Sequence, residues 1–164
     1  MKEVQQEDVE IIGGVLSLRR LWIKSTQQTQ RLLVIRADGF RCMVQFELNC
    51  GAATQLMIEP GALPRAEAVE FSLGVRVAKE DGNCGFDVGL QGNLLSLRRR
   101  VCVYMYCGGA RVGEAKEAEA AMRHVAEAHP NHPRIYIDLH SEGLSNCINL
   151  NSFFYLNKIY SNDC

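Results

Sequence analysis

The sequence predicts a mainly β fold, α+β by content, arranged as an antiparallel β-sandwich or jelly roll with one helix inserted near 111–128. Three observations predict it. Phe71, Leu73, Val75 and Val77 alternate with small or polar residues, and after Glu80-Asp81-Gly82-Asn83 the alternation resumes at Cys84, Phe86, Val88 and Leu90. This reads as a β-hairpin over 70–92, with Asp81-Gly82 supplying the positive φ of a tight reversal. Similar short runs recur along the chain, separated by turn signals. Only one segment carries apolar residues at helical spacing.

Residues 1–8 are polar and read as a loose N-terminus, followed by a single β-rich domain over 9–160 and a short tail at 161–164. From Val9 to Lys24, β-branched residues and Gly13-Gly14 argue against a helix and for one bent strand or two short ones. Leu32 to Ala37 and Phe40 to Leu48 form a second predicted hairpin about Asp38-Gly39. Leu56 to Ile58 is a short strand, and Pro60-Gly61 suits the centre of a type II turn. The first hairpin follows, then a strand from Leu94 to Tyr106, where Val101, Val103 and Met105 alternate with Cys102, Tyr104 and Tyr106.

Val112, Ala115, Ala118, Met122, Val125 and Ala128 recur every three or four residues and predict a helix ended by His129-Pro130. Arg134 to His140 is the next strand, and 147–150 with 153–159 are expected to close the fold. Leu16-Ser17-Leu18-Arg19-Arg20 recurs as Leu95-Ser96-Leu97-Arg98-Arg99. Without a counterpart of the helix in the first half, the echo reads as a coincidence of strand-edge composition.

A chain of 164 residues with net charge −1 is expected to form one domain without basic or acidic bias. Nucleic acid is not an expected partner. No apolar run approaches a membrane span, and the seven cysteines form no C-x-x-C pair, so they read as reduced thiols of an intracellular, soluble protein.

Gly108 to Gly113 matches the glycine spacing of a phosphate loop, but Glu114 and Ala115 stand where that loop needs Lys and Ser or Thr. A plain strand-to-helix turn is expected there. His124, His129, His132 and His140 lie close in sequence near Asp138, yet their spacing matches no common zinc pattern, so no metal or cofactor is assigned. His129 suits a helix C-terminus, where positive charge is favoured. Arg98, Arg99 and Arg100 read as a charged sheet edge and a possible interaction point, as does the C-terminal Cys164.

Ile58-Glu59-Pro60-Gly61, the hairpin with Gly82-Asn83-Cys84-Gly85 at its tip, and Gly89-Leu90-Gln91-Gly92 together resemble the dUTPase superfamily. Ala37-Asp38-Gly39-Phe40 and Ile135 to Gly143 resemble that family's first and penultimate core motifs. The resemblance implies a jelly roll whose nucleotide-site positions Phe40, Arg41, Gly89, Leu90, Gln91 and Gly92 are degenerate. Arg41 stands where the family places a metal-positioning aspartate, and Leu90 and Gln91 where it places arginine and serine.

Loss of these groups leaves nothing to lower a phosphoryl-transfer barrier. The resemblance therefore implies a non-catalytic viral protein of DNA-virus type that binds a host protein in the cytoplasm or nucleus. It also implies a homotrimer, the family's common state. The alternatives are a diverged dUTP hydrolase and an unrelated β-sandwich binding protein.

Overall fold

The computed structural model describes residues 4–25, 32–80, 86, 88–90 and 93–140. Its elements are α1 (Gln6–Gly13), β1 (Arg20–Lys24), β2 (Leu32–Ile35), β3 (Gln45–Asn49), β4 (Gln55–Ile58), β5 (Ala68–Gly74), α2 (Val75–Glu80), β6 (Arg100–Tyr106), α3 (Val112–Ala128) and β7 (Arg134–His140). Every strand pairing among them is parallel. One sheet has the order β1-β3-β5-β6-β7, and β2 pairs with β4 in a second.

An antiparallel sandwich is therefore excluded, and the architecture is α/β. Parallel neighbours require a crossover between them. Here each crossover passes through β2, β4, α2 or α3 on the far side before the chain returns to the large sheet. The helix at Val112–Ala128 is thus one of these regular crossovers and not an insertion.

Both predicted hairpins are corrected by the same topology. Leu32–Ile35 and Gln45–Asn49 lie in different sheets, joined through the turn that contains Asp38 and Gly39. Phe71 and Leu73 belong to β5, but Val75 and Ala78 sit on α2, where both are buried. An alternation of period two cannot by itself tell a strand that reverses from one that crosses over. The hairpin tip at 82–85 and the strands expected at 147–150 and 153–159 lie outside the described residues. Gln6–Gly13, read as part loose terminus and part strand, is helical.

The strands of the large sheet begin at Arg20, Gln45, Ala68, Arg100 and Arg134, spacings of 25, 23, 32 and 34 residues. A turn closed by the same kind of backbone hydrogen bond precedes each of them. An N–H to C=O bond three residues back joins Leu18 to Val15, Met43 to Phe40, Ala66 to Leu63, Leu97 to Leu94 and His132 to His129. Phe40, Leu63 and His132 adopt positive φ in these turns, at 57°, 50° and 44°. Leu16–Arg20 and Leu95–Arg99 therefore echo each other because both lead from this turn towards a strand.

Register stacks like on like. Leu21, Phe46, Val69, Val101 and Ile135 form one inward row, and Ile23, Leu48, Phe71, Val103 and Ile137 form the next. Phe46 and Phe71 are each 1% exposed, and each contributes about 2–3 kcal/mol through burial. α3 closes the core with Ala118, Met122 and Val125, one stripe of its surface. The Arg111 N–H donates to Glu114 Oε2 at 2.9 Å at its start.

The coils approach tightly at Gly74, where an added Cβ would run into the carbonyl oxygen of Ala52. Gly74→Ala is expected to lower stability by about 2 kcal/mol, since backbone has to shift to admit the methyl. Urea denaturation checks it, and an unchanged midpoint would show that the neighbouring coil yields freely.

Candidate functional site

Where the apolar members of each strand point inward, the alternate members form the opposite face of the five-stranded sheet. Its rows follow the register. Arg20, Gln45, Ala68, Arg100 and Arg134 make the first, Trp22, Glu47, Glu70, Cys102 and Tyr136 the second, and Lys24, Asn49, Ser72, Tyr104 and Asp138 the third. Tyr106 and His140 extend the face at its far end.

Glu70 anchors the middle of this face. It is only 3% exposed, because strands flank it on both sides. Arg100 Nη2 donates to Glu70 Oε1 at 2.6 Å, and the Tyr104 hydroxyl donates to Oε2 at 3.3 Å. A buried carboxylate needs such partners, and charge-assisted bonds are the strong ones. Tyr106 OH donates to Asn49 Oδ1 at 3.3 Å. The His140 ring stacks on Tyr106 with centroids 4.9 Å apart, and its Nε2 lies 3.3 Å from Asp138 Oδ2.

Two neighbours respond to the enclosed charge. Partial burial, and then the charge of Glu70, push the Glu47 carboxyl up to about 7, against an opposing pull from Arg100. Burial followed by Glu70 pushes the Cys102 thiol up to about 12. A thiol so raised is not a nucleophile at neutral pH. The face thus offers fixed aromatic rings, an ordered guanidinium and a carboxyl poised near neutrality, all on the open side of a sheet.

The raised carboxyl predicts a pH dependence. A group whose folded pKa exceeds its unfolded one gives stability that is fully present below the ordinary carboxylate range and is lost as pH rises through about 7. The full shift is worth roughly 3 kcal/mol, and solvent screening of this half-buried group reduces it to about 1 kcal/mol. The wild type is expected to lose that much more stability between about pH 5 and pH 8 than Glu47→Gln does. Denaturant titrations at the two pH values check it, and parallel pH profiles would exclude the effect.

The positions singled out in the sequence are scattered. Phe40 is a core residue, edge-to-face with Phe46 at 5.4 Å, and Leu90 is buried as well. Gly89, at φ 91°, lies where a Cβ would meet the Ile58 carbonyl, and Arg41 pairs with Asp38 on the surface. None of these forms part of a nucleotide pocket with the others among the described residues. Gln91, Gly92 and Cys164 lie outside them.

Of the three arginines, only Arg100 is in a strand. Arg98 binds Glu67 at 2.6 Å, while Arg99 is exposed. His129 is the C-cap residue of α3. Its side chain is buried, its Nδ1 accepts from the Asn131 N–H at 3.2 Å, and its Nε2 lies 3.0 Å from the Leu94 carbonyl. Gly108 to Arg111 form the turn from β6 into α3, and Gly113 already lies in the helix.

Glu47, Glu70, Tyr104 and Tyr106 were not singled out from the sequence. A signal for them exists in the spacing of the apolar residues that lead into each strand. Leu18-x-x-Leu21-x-Ile23, Met43-x-x-Phe46-x-Leu48 and Ala66-x-x-Val69-x-Phe71 share one pattern, whose intervening positions point to the open face.

A sequence profile described as a leucine-rich repeat region matches residues 1–135. Nothing among the curated proteins or the solved structures matches the chain. The match overturns the dUTPase resemblance. Ile58-Glu59-Pro60-Gly61 closes β4 into the next turn of the coil, and Asp38-Gly39 lies in a similar turn, so the stretches that resemble hairpin motifs are repeated coil corners. The jelly roll and the trimer implied by that resemblance fall with it. No helix among the described residues is long and apolar enough to cross a membrane.

Proposed function

The chain belongs to the leucine-rich repeat family, and from that premise we propose that it is a protein-interaction module whose contact surface is the open face of the five-stranded sheet. Stacked repeats present an extended surface to a partner, and a family of this kind favours binding over catalysis. The observation that carries the reading is the Glu70-centred array. Arg100, Tyr104 and Tyr106 are held in place by bonds to Glu70 and Asn49 before any partner arrives.

Tyrosine and arginine dominate binding energetics at protein interfaces, and side chains already ordered lose less entropy on association. The raised thiol of Cys102 argues further against covalent chemistry on this face.

Panning a displayed library of random folded domains against the purified protein tests the proposal. Selected binders are expected to lose about thirtyfold or more in affinity to Tyr104→Ala. They should be indifferent to Lys116→Ala on α3. Binders that respond only to α3 would place the contact surface on the other side of the molecule.

A further inference from the structure

Each of the two sheets ends in a strand contributed by the first half of the chain, β1 in one and β2 in the other. They are treated differently. The edge of β2 is covered by a side chain that imitates a strand: Gln6 Nε2 donates to the Val34 carbonyl at 2.9 Å, and the Val34 N–H donates to Gln6 Oε1 at 2.8 Å. No such group covers β1 among the described residues.

The backbone of β1 is directed accordingly. Arg19 O accepts from Gln45 N–H, and Ser25 N–H donates to Asn49 O, so the odd-numbered residues bond to β3. In a strand the next residues point the other way, which turns the N–H and C=O of Arg20, Trp22 and Lys24 to the open edge. Apolar surface accompanies it. Trp22 is 67% exposed, Leu16 65% and Val15 46%. Leu21 and Ile23 stay only partly buried, since β1 has one neighbour only.

Charge selects the occupant. Arg19, Arg20 and Lys24 are exposed, and none has an ion pair among the described residues. A second copy pairing antiparallel about Trp22 would set Arg20 against Lys24 of its partner, and like charges opposite one another destabilise a sheet. An acidic strand reverses that sign. Glu47, on β3, lies one strand further in and adjoins Trp22 in register.

We propose that the β1 edge takes up an extended segment of a partner protein in which acidic residues alternate with apolar ones, as an added strand. The carboxylates face Arg20 and Lys24, the apolar residues cover Leu21 and Ile23, and the main chain bonds to Arg20, Trp22 and Lys24. This goes beyond the face contact proposed above: it uses the free backbone edge of β1, at the margin of that face, three strands away from Tyr104.

The protein contains one tryptophan, so Trp22 reports on its own edge. A soluble peptide alternating glutamate and valine is expected to shift its emission to the blue and saturate, whereas a lysine–valine peptide is not. Arg20→Glu combined with Lys24→Glu should weaken the glutamate peptide by about tenfold and admit the lysine one. Both positions are exposed, and circular dichroism confirms that the variant folds.

Hydrogen exchange supplies the backbone readout, with slowed amides at Trp22 and Lys24 expected on binding. No response, equal response to both peptides, or unchanged exchange at these amides would overturn strand addition. So would sedimentation showing that the protein dimerises and that the dimer excludes the peptide. Tyr104→Ala should leave peptide binding intact, which separates failure here from failure of the sheet-face reading.

Discussion

Phe71→Ala is expected to remove about 4 kcal/mol of stability, a large fraction of what a domain of this size possesses. Phe71 is 1% exposed on β5, the central strand of the large sheet, with Leu48 on one side and Val103 on the other in register. The alanine leaves a cavity that the backbone cannot close, because β3 and β6 hold β5 from both sides. Stability in a stacked repeat is a sum of coil and neighbour terms. A defect in the middle therefore weakens two interfaces at once. Denaturation followed by Trp22 fluorescence and by circular dichroism is expected to show the same lowered midpoint. A fall seen by circular dichroism alone would mean that the β1–β3 end unfolds by itself.

Glu70→Ala is expected to cost about 3 kcal/mol and to lower the pKa of Glu47. The first effect follows from removing the carboxylate that Arg100 and Tyr104 converge on, in a site where Glu70 is almost fully enclosed. The second follows from the causes of the Glu47 shift. Burial is the larger and remains, so the carboxyl stays above its ordinary range; the charge of Glu70 disappears, so it falls below about 7. Glu70→Gln should give the same change at Glu47 with a smaller loss of stability, because the amide oxygen still accepts a hydrogen bond. Carboxyl-carbon NMR titration reads Glu47 directly. An unmoved Glu47 would show that burial alone raises it.

The sequence made single elements legible where the signal was local. The stripe through Ala118, Met122 and Val125 placed α3, and alternation through Ile135, Ile137 and Leu139 placed β7. What failed was the pairing. Phe71, Leu73 and Val75 alternate as they would in a hairpin arm, and only the third dimension shows the chain turning into α2 after Gly74.

The deciding regularity was the distance between equivalent apolar residues, and it is blurred. Met43-x-x-Phe46 and Ala66-x-x-Val69 keep step, but before β6 the anchoring leucine is Leu97, one residue further from Val101, and the later coils are longer. The candidate site inherited that blur. Glu47, Glu70 and Tyr104 come from three strands and meet only when those strands are stacked in parallel.

The turn that precedes each strand of the large sheet has a consequence for how such a chain can diversify. Coils of 23 and 34 residues return to the same register after it. The length and even the type of the outer crossover are thereby uncoupled from the alignment of side chains on the open face. A duplicated or exchanged crossover alters the back of the molecule while the rows through Glu70 stay in line. Lineages can therefore remodel one side by recombination and tune the other by point substitution, each without undoing the other.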